Sequence, residues 1–150
     1  KWMVTAAFAA SVLLILLIQP TSYEFTNVYH TRLVYDSQGN VLDATVRGSD
    51  ETIELPFHLP ELIYDDGDLQ INWQSTNVHT TSYMLEINGK SYSTDNPTHL
   101  IKDFSPSGDT LYLEIDEMRE INSEELATSS SSEITRLPIS KIDLKYVIEN

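Results

Sequence analysis

Residues 2–18 form an unbroken apolar run in which Thr5 and Ser11 are the only residues that carry a hydroxyl group. In a helix, these residues would direct apolar side chains to every side, so the helix would have no polar face and would need burial all round. Such a helix is about 25 Å long, slightly less than a hydrocarbon core of about 30 Å. Pro20 follows the run, and we therefore predict an N-terminal hydrophobic α-helix over residues 1–20.

Three kinds of surroundings can bury such a helix. They are a lipid bilayer, a filament core made of identical helices, and, for a signal peptide, the secretion machinery. A signal peptide is disfavoured because its small-residue cleavage site should follow the apolar core, whereas here the alanines precede the leucine-rich part. A core helix of a cytosolic protein is disfavoured because the rest of this small chain offers little to cover it. The predicted membrane or assembly contacts are made by Trp2, Phe8, Val12, Leu13, Leu14, Ile15, Leu16, Leu17 and Ile18.

After residue 21 the pattern changes to an alternation of apolar and polar residues, which is typical of half-buried β-strands. The first alternating segment, residues 23–35, also fits a continuation of the helix past Pro20. Turns rich in Gly, Pro and Asp separate the later segments, and Asn88-Gly89 is a strong hairpin signal. The further predicted strands cover residues 42–46, 53–59, 69–73 and 83–87, the return around Tyr92, and residues 100–101, 111–115 and 134–148. This pattern predicts a mainly β chain in which residues 21–150 form an antiparallel β-sandwich.

The last third of the chain leaves alternatives open. Residues 116–126 are rich in acidic side chains and fit either a short helix or an irregular loop, and residues 127–133 read as a serine-rich flexible spacer. The apolar residues stand at odd-numbered positions at Leu137 and Ile139 and at even-numbered positions from Ile142 onward. This change near Ser140 indicates either a bulge or two successive strands. The spacer would also let residues 134–148 pair with the sheet edge of a neighbouring subunit, although completing their own sheet is favoured.

Charge and composition exclude several classes of partner and chemistry. The chain carries 23 acidic and 9 basic residues, a formal net charge of −14, and it has no cysteine. Phosphate backbones repel such a surface, so we expect no nucleic-acid partner. Lys1 is the only charged residue before Glu24, and the positive-inside rule then places the acidic domain outside the cytoplasm, on the cell surface.

Motif searches predict a protein that is not an enzyme, with no catalytic residues, no cofactor and no specific metal site. The four histidines show no spacing typical of zinc ligands, and there is no nucleophile elbow or phosphate-binding loop. Two acidic turns remain as candidates for weak calcium binding, although neither has the twelve-residue pattern of a calcium loop. These turns contain Asp36, Asn40 and Asp43 in one case and Asp65, Asp66 and Asp68 in the other.

One stretch resembles a fibronectin type III or immunoglobulin-like sandwich. The resemblance covers residues 69–115 and rests on Leu69-x-Ile71-x-Trp73, Tyr83-x-Leu85-x-Ile87-Asn88-Gly89, Phe104-x-Pro106 and Tyr112-x-Glu114. It implies an immunoglobulin-like arrangement of the β domain, residues 21–150, which we call the head. It says nothing about a ligand.

The overall layout is similar to that of type IV pilins, archaeal ones included, because a wholly apolar helix precedes a β domain and Pro20 lies near the end of that helix. The resemblance covers residues 1–22 as a motif, and Thr5 stands where bacterial pilins carry a glutamate. It implies a structural protein of extracellular filaments that assembles with copies of itself through its helix. The alternative is a single-pass membrane protein with an extracytoplasmic binding or sensing domain.

Overall fold

The computed structural model describes residues 22–48, 58–121 and 136–150. The predicted hydrophobic helix, residues 53–57 of the third predicted strand, and the serine-rich spacer lie outside these residues. The described residues form nine strands: β1 (Glu24–Tyr35), β2 (Val41–Gly48), β3 (Glu61–Asp65), β4 (Asp68–Asn72), β5 (Ser82–Ile87), β6 (Lys90–Thr94), β7 (Thr98–Ile101), β8 (Thr110–Glu120) and β9 (Arg136–Glu149). Within the three described ranges we find no helix, and therefore none that is long and apolar enough to cross a membrane.

The strands form two antiparallel sheets. The larger sheet has the order β2-β1-β9-β8-β5-β6, and the smaller one has the order β3-β4-β7. Strand β9 lies in the interior of the larger sheet, where it pairs with both β1 and β8. For residues 136–148 this pairing confirms the favoured prediction that the last segment completes the sheet of its own chain. Residues 24–35 are strand, so the alternative of a helix that continues through them past Pro20 is wrong.

A single hydrophobic core holds the two sheets together in a sandwich-like arrangement. Alternate residues of the smaller sheet, Leu69 and Ile71, are fully buried, and Trp73 beyond them is 7% exposed. The larger sheet contributes Tyr83, Leu85, Ile87, Leu111, Leu113, Ile115, Ile142, Leu144, Tyr146 and Ile148. The alternation that predicted these strands therefore also identified the side chains that face the core, and the mainly β, antiparallel prediction is confirmed.

The predicted Asn88-Gly89 hairpin is present between β5 and β6. Both residues have positive φ, 48° and 81°, as a two-residue turn of this type requires. Near Ser140 the pairing of β8 with β9 shifts register between Glu117 and Met118. The parity change in the last segment therefore reflects an irregularity within one long strand.

Two segments differ from the sequence prediction. The prediction of a helix or irregular loop from residue 116 is wrong for residues 116–120, because β8 continues to Glu120. Pairing on both sides, with β5 and β9, holds these acidic residues in the sheet despite their low strand propensity. Strand β3 was not predicted, because only Leu62 and Tyr64 turn toward the core and acidic residues stand at both of its ends.

Candidate functional site

Four aromatic side chains lie where the chain enters the head, and we call Tyr23, Phe25, Tyr64 and Phe104 the junction cluster. The ring centroids of Tyr23 and Tyr64 are 4.8 Å apart in an edge-to-face arrangement. Phe104 lies 6.4 Å from both Phe25 and Tyr64. All four side chains pack against the hydrophobic core and are partly buried. The cluster therefore ties the start of β1 to the smaller sheet, immediately after the segment predicted to be the apolar helix.

The carboxyl end of the chain lies at the same end of the head as the junction cluster. In the register of β1 with β9, Glu24 is opposite Glu149. The buried Tyr146 hydroxyl donates a hydrogen bond of 3.3 Å to the carbonyl of Pro60, and burial raises the pKa of this phenol. This end of the head, which we call the base, is thus fixed by aromatic packing and by a buried hydrogen bond.

The outer face of the larger sheet carries four carboxylates around one lysine. In register, Glu86 is opposite Glu114, Glu114 is opposite Asp143, and Asp116 is opposite Lys141. The Lys141 ammonium lies 2.8 Å from the Glu114 carboxylate and 4.0 Å from the Asp143 carboxylate. We call these five residues the acidic face, and its excess of negative charge is only partly compensated.

The charges of the acidic face shift the proton affinities of its members. Partial burial, and then the charge of Glu114, raise the pKa of Asp116 to about 6. The same two causes raise the pKa of Asp143, against the opposing effect of Lys141. The hydrogen bond to Glu114 raises the pKa of Lys141, so the lysine stays charged throughout the neutral range. The acidic face therefore takes up protons under mildly acidic conditions.

We expect Asp116→Asn to stabilise the head at pH 7 and to stabilise it only about half as much at pH 5, in the middle of the titration window. The pKa of Asp116 lies above its unfolded value of 3.8. Between about pH 4 and 6 the folded state binds more protons, so stability falls as pH rises through this window. After discounting for solvent screening, the gain at pH 7 is about 1 kcal/mol. Urea unfolding at both pH values measures it, with the exposed Asp95→Asn as the control; equal stabilisation at both pH values would contradict the assignment.

In each of the two turns considered for calcium, at least one carboxylate accepts backbone hydrogen bonds within the fold. Asp36 accepts hydrogen bonds of 2.8 Å from the backbone N–H groups of Gln38 and Asn40. These bonds, those from Asn40 above all, lower the pKa of Asp36. In the second turn Asp68 accepts a bond of 3.0 Å from the backbone N–H of Asp103. These carboxylates act as caps of turns, and the described part of the chain contains no group of three potential ligands that would hold a metal ion.

The described histidines are spread over different parts of the head. His30 is buried in β1, where its Nδ1 lies 3.3 Å from the side-chain oxygen of Asn27. His58 and His79 are exposed, and His99 is half-buried beside Tyr92, with ring centroids 4.6 Å apart. Burial lowers the pKa of His99. These positions do not bring two histidines into one metal or acid–base site.

A cleft of about 390 Å³ lies between β6 and the segment that follows β7. Tyr92 and Phe104 contribute its aromatic lining, and the exposed Lys90 and Lys102 also line it. Small-ligand sites have volumes of this order, with mostly apolar walls and a few polar groups. The cleft therefore has the size of a small-ligand site, but its lining mixes aromatic, basic and acidic groups, since Asp103 lies there with the two lysines.

Glu117 is a buried carboxylate that sequence reasoning missed. It is fully buried on the core side of β8 and accepts bonds from the backbone N–H and the hydroxyl of Thr76, at 2.9 and 3.1 Å. A third bond, of 2.9 Å, comes from the hydroxyl of Thr80. The signal in the sequence was its position, because Glu117 follows Leu113 and Ile115 at every second residue and therefore lies on the same, buried face of β8. Its role is structural, since it fixes the segment between β4 and β5.

The residues predicted to form the membrane or assembly helix, from Trp2 to Ile18, lie outside the described residues. Comparison of the chain with protein-family models, with curated proteins and with solved structures finds no match, so similarity to known proteins assigns it neither a family nor an activity.

Proposed function

We propose that this protein is a non-enzymatic, extracellular structural protein, a pilin-like filament subunit that assembles through residues 2–18. The observation that carries the proposal is the uninterrupted apolar run, which needs burial on every side. Packing among identical helices in a filament core provides that burial and makes the helix the means of assembly. The partners are then copies of the same chain.

The head supports this proposal through its construction. Only four residues separate Ile18 from Tyr23, the first member of the junction cluster. The aromatic packing of that cluster would hold the head close to the helical core, with little slack between them. Residues after Lys1 carry 23 acidic and 8 basic side chains, a net charge of −15, so the heads repel one another over much of their surface. Cohesion would therefore come mainly from the apolar helices.

The alternative is a single-pass membrane protein with an extracytoplasmic binding or sensing domain. The feature that supports it is the cleft lined by Tyr92, Phe104, Lys90 and Lys102, because its volume is within the range of small-ligand sites. The helix would then serve only as an anchor in lipid. The finer architectural proposal, that the sandwich is immunoglobulin-like, suits either function.

We expect Leu14→Arg to abolish both filament assembly and membrane retention. An arginine in the middle of an apolar helix costs about 2.5–3.5 kcal/mol in a membrane, and burial among apolar helices without a partner is also unfavourable. Sedimentation and electron microscopy of cell-surface fractions measure the effect. Leu100→Arg is the matched control, since Leu100 is 47% exposed on β7.

Detergent extraction of the unmodified chain separates the two functions. Fibres released by shear that contain the intact apolar segment support the filament. Detergent-solubilised monomers, with no fibres on the cell surface, support the anchor. Normal fibres or normal membrane retention of the Leu14→Arg variant would contradict both.

A further inference from the structure

The hairpin turn between β5 and β6 contains the only Asn-Gly dipeptide of the chain. In such a dipeptide the backbone nitrogen of the glycine can attack the side-chain carbonyl carbon of the asparagine, because glycine has no side chain to obstruct the approach. The side-chain nitrogen leaves as ammonia with the proton of the glycine N–H, and a succinimide ring closes. Water then opens the ring to aspartate or to β-linked isoaspartate. Asn88 and Gly89 are both exposed, so water reaches this turn.

Hydrogen bonds to β8 hold the Asn88 side chain in place. Ile87 is the last residue of β5 in register with β8, opposite Leu113. One residue further, the backbone N–H of Asn88 donates a bond of 3.0 Å to the carbonyl of Tyr112. The backbone N–H of Tyr112 donates a bond of 2.9 Å to the side-chain oxygen of Asn88. The Asn88 side chain thus takes the place that the backbone carbonyl would have if the strand continued.

The backbone of the turn is a second obstacle to ring closure. Asn88 and Gly89 have φ values of 48° and 81°, and Ile87 pairs with Lys90 across the two-residue turn. In this left-handed region ψ is typically about +47°. A five-membered succinimide ring includes the bond about which ψ turns and holds it at a different angle. Ring closure therefore requires the turn to open and the bond from Tyr112 to break.

We propose that Asn88 is a deamidation site that its pairing with Tyr112 protects in the folded head and that reacts when the β5–β6 hairpin opens. Local opening of this kind requires no more free energy than unfolding of the whole head. The rate of reaction is then proportional to the fraction of molecules in which the hairpin is open.

Both products oppose the return to the native turn. Isoaspartate adds one carbon atom to the main chain, so the two-residue connection no longer matches the register of β5 and β6. Aspartate adds a negative charge to a depression of about 180 Å³ that Asn88 lines together with Glu86, Glu114 and Asp143. A transient opening of the hairpin therefore becomes a lasting chemical change. The inference uses neither residues 2–18 nor the cleft, so it is independent of the proposed function.

The unmodified full chain tests the protection directly. It is purified in detergent and incubated in mildly alkaline buffer, with and without enough urea to unfold the head. Peptide mapping by mass spectrometry measures the converted fraction of Asn88, and an isoaspartate-specific methyltransferase detects the β-linked product. We expect conversion in urea to be at least about tenfold faster, since a hairpin that is open for a tenth of the time or less reacts more slowly by that factor. Equal rates in buffer and in urea would overturn the proposal.

Tyr112→Pro tests the role of the Tyr112 bond, because proline has no backbone N–H to donate. In an antiparallel pair the N–H and the carbonyl of one residue point to the same neighbour, so those of Tyr112 face β5 and the ladder with β9 keeps its bonds. Tyr112→Ala is the matched control, since it removes the exposed ring and keeps the N–H.

In buffer without urea, Asn88 should convert about two- to tenfold faster in Tyr112→Pro than in Tyr112→Ala, as the loss of one hydrogen bond implies. Circular dichroism establishes that both variants are folded. Equal rates in the two folded variants would show that the Tyr112 bond does not protect Asn88, and the proposal would be wrong. If Tyr112→Pro does not fold, the comparison of buffer with urea decides alone.

Discussion

Glu117→Ala is expected to lower the free energy of unfolding by about 2–4 kcal/mol, because it removes the acceptor of three buried hydrogen bonds. The Glu117 carboxylate is fully buried, and Thr76 and Thr80 donate all three of these bonds. Alanine leaves the backbone N–H of Thr76 without its partner and creates a cavity beside the core. Urea unfolding followed by the fluorescence of the buried Trp73 measures the loss.

Two further variants separate the hydrogen bonds from the effect of changing β8 itself. Glu117→Gln keeps one oxygen acceptor but replaces the other with an N–H₂ group that meets a donor, so we expect a smaller loss of about 1–2 kcal/mol. Glu120→Ala lies on the same strand at an exposed position and should change stability by less than about 0.5 kcal/mol. If Glu117→Ala were as stable as Glu120→Ala, the three bonds would contribute nothing to the fold.

Ile71→Ala is expected to lower the free energy of unfolding by about 2–5 kcal/mol, because it leaves a cavity between the two sheets. Ile71 is fully buried in β4, the central strand of the smaller sheet. That sheet has only three strands, so its attachment depends on a few side chains, with Leu69 and Trp73 beside Ile71. A loss at Ile71 therefore weakens the contact of the whole smaller sheet with the larger one.

The neighbouring strand offers a control of the same residue type. Ile63 lies in β3 and is 41% exposed, opposite Gln70 in register. Ile63→Ala should cost less than about 1 kcal/mol, since a large part of its side chain is already in contact with water and Ile63 is not among the residues packed against the core. Calorimetric melting of both variants gives the comparison. Equal losses for Ile71→Ala and Ile63→Ala would show that the smaller sheet is not held by the core described above.

The parts of the fold predicted from the sequence are those in which local pattern and burial agree. Leu69 and Ile71 share a parity and a face, and Asn88-Gly89 forms the hairpin that its residue types predict. The acidic stretch after Ile115 misled the prediction, because composition there opposes strand while pairing with β5 and β9 imposes it. Glu117 was missed for a related reason: its partners, Thr76 and Thr80, come from a segment about forty residues away in the chain.

The acidic face was not predictable from local pattern. Glu86, Glu114 and Asp143 come from three different strands and meet only because of the register between them. A shift of one residue in any of these pairings would send a carboxylate to the other side of the sheet. The junction cluster has the same origin, since Phe25 and Phe104, which are far apart in the chain, approach one another only through the packing of the two sheets. In both cases the sequence supplies the chemical groups and the long-range topology decides which of them become neighbours.

The register of β1 with β9 also determines where added sequence would be displayed. Strand β1 has twelve residues, so it extends about 40 Å from the base to the turn at Asp36–Asn40. A reporter placed after β9 would emerge at the base, beside the start of β1, because Glu149 is opposite Glu24. An epitope grafted into the Asp36–Asn40 turn would instead stand at the far tip of the head. For antibody labelling or for cargo display, the tip is therefore the position of choice.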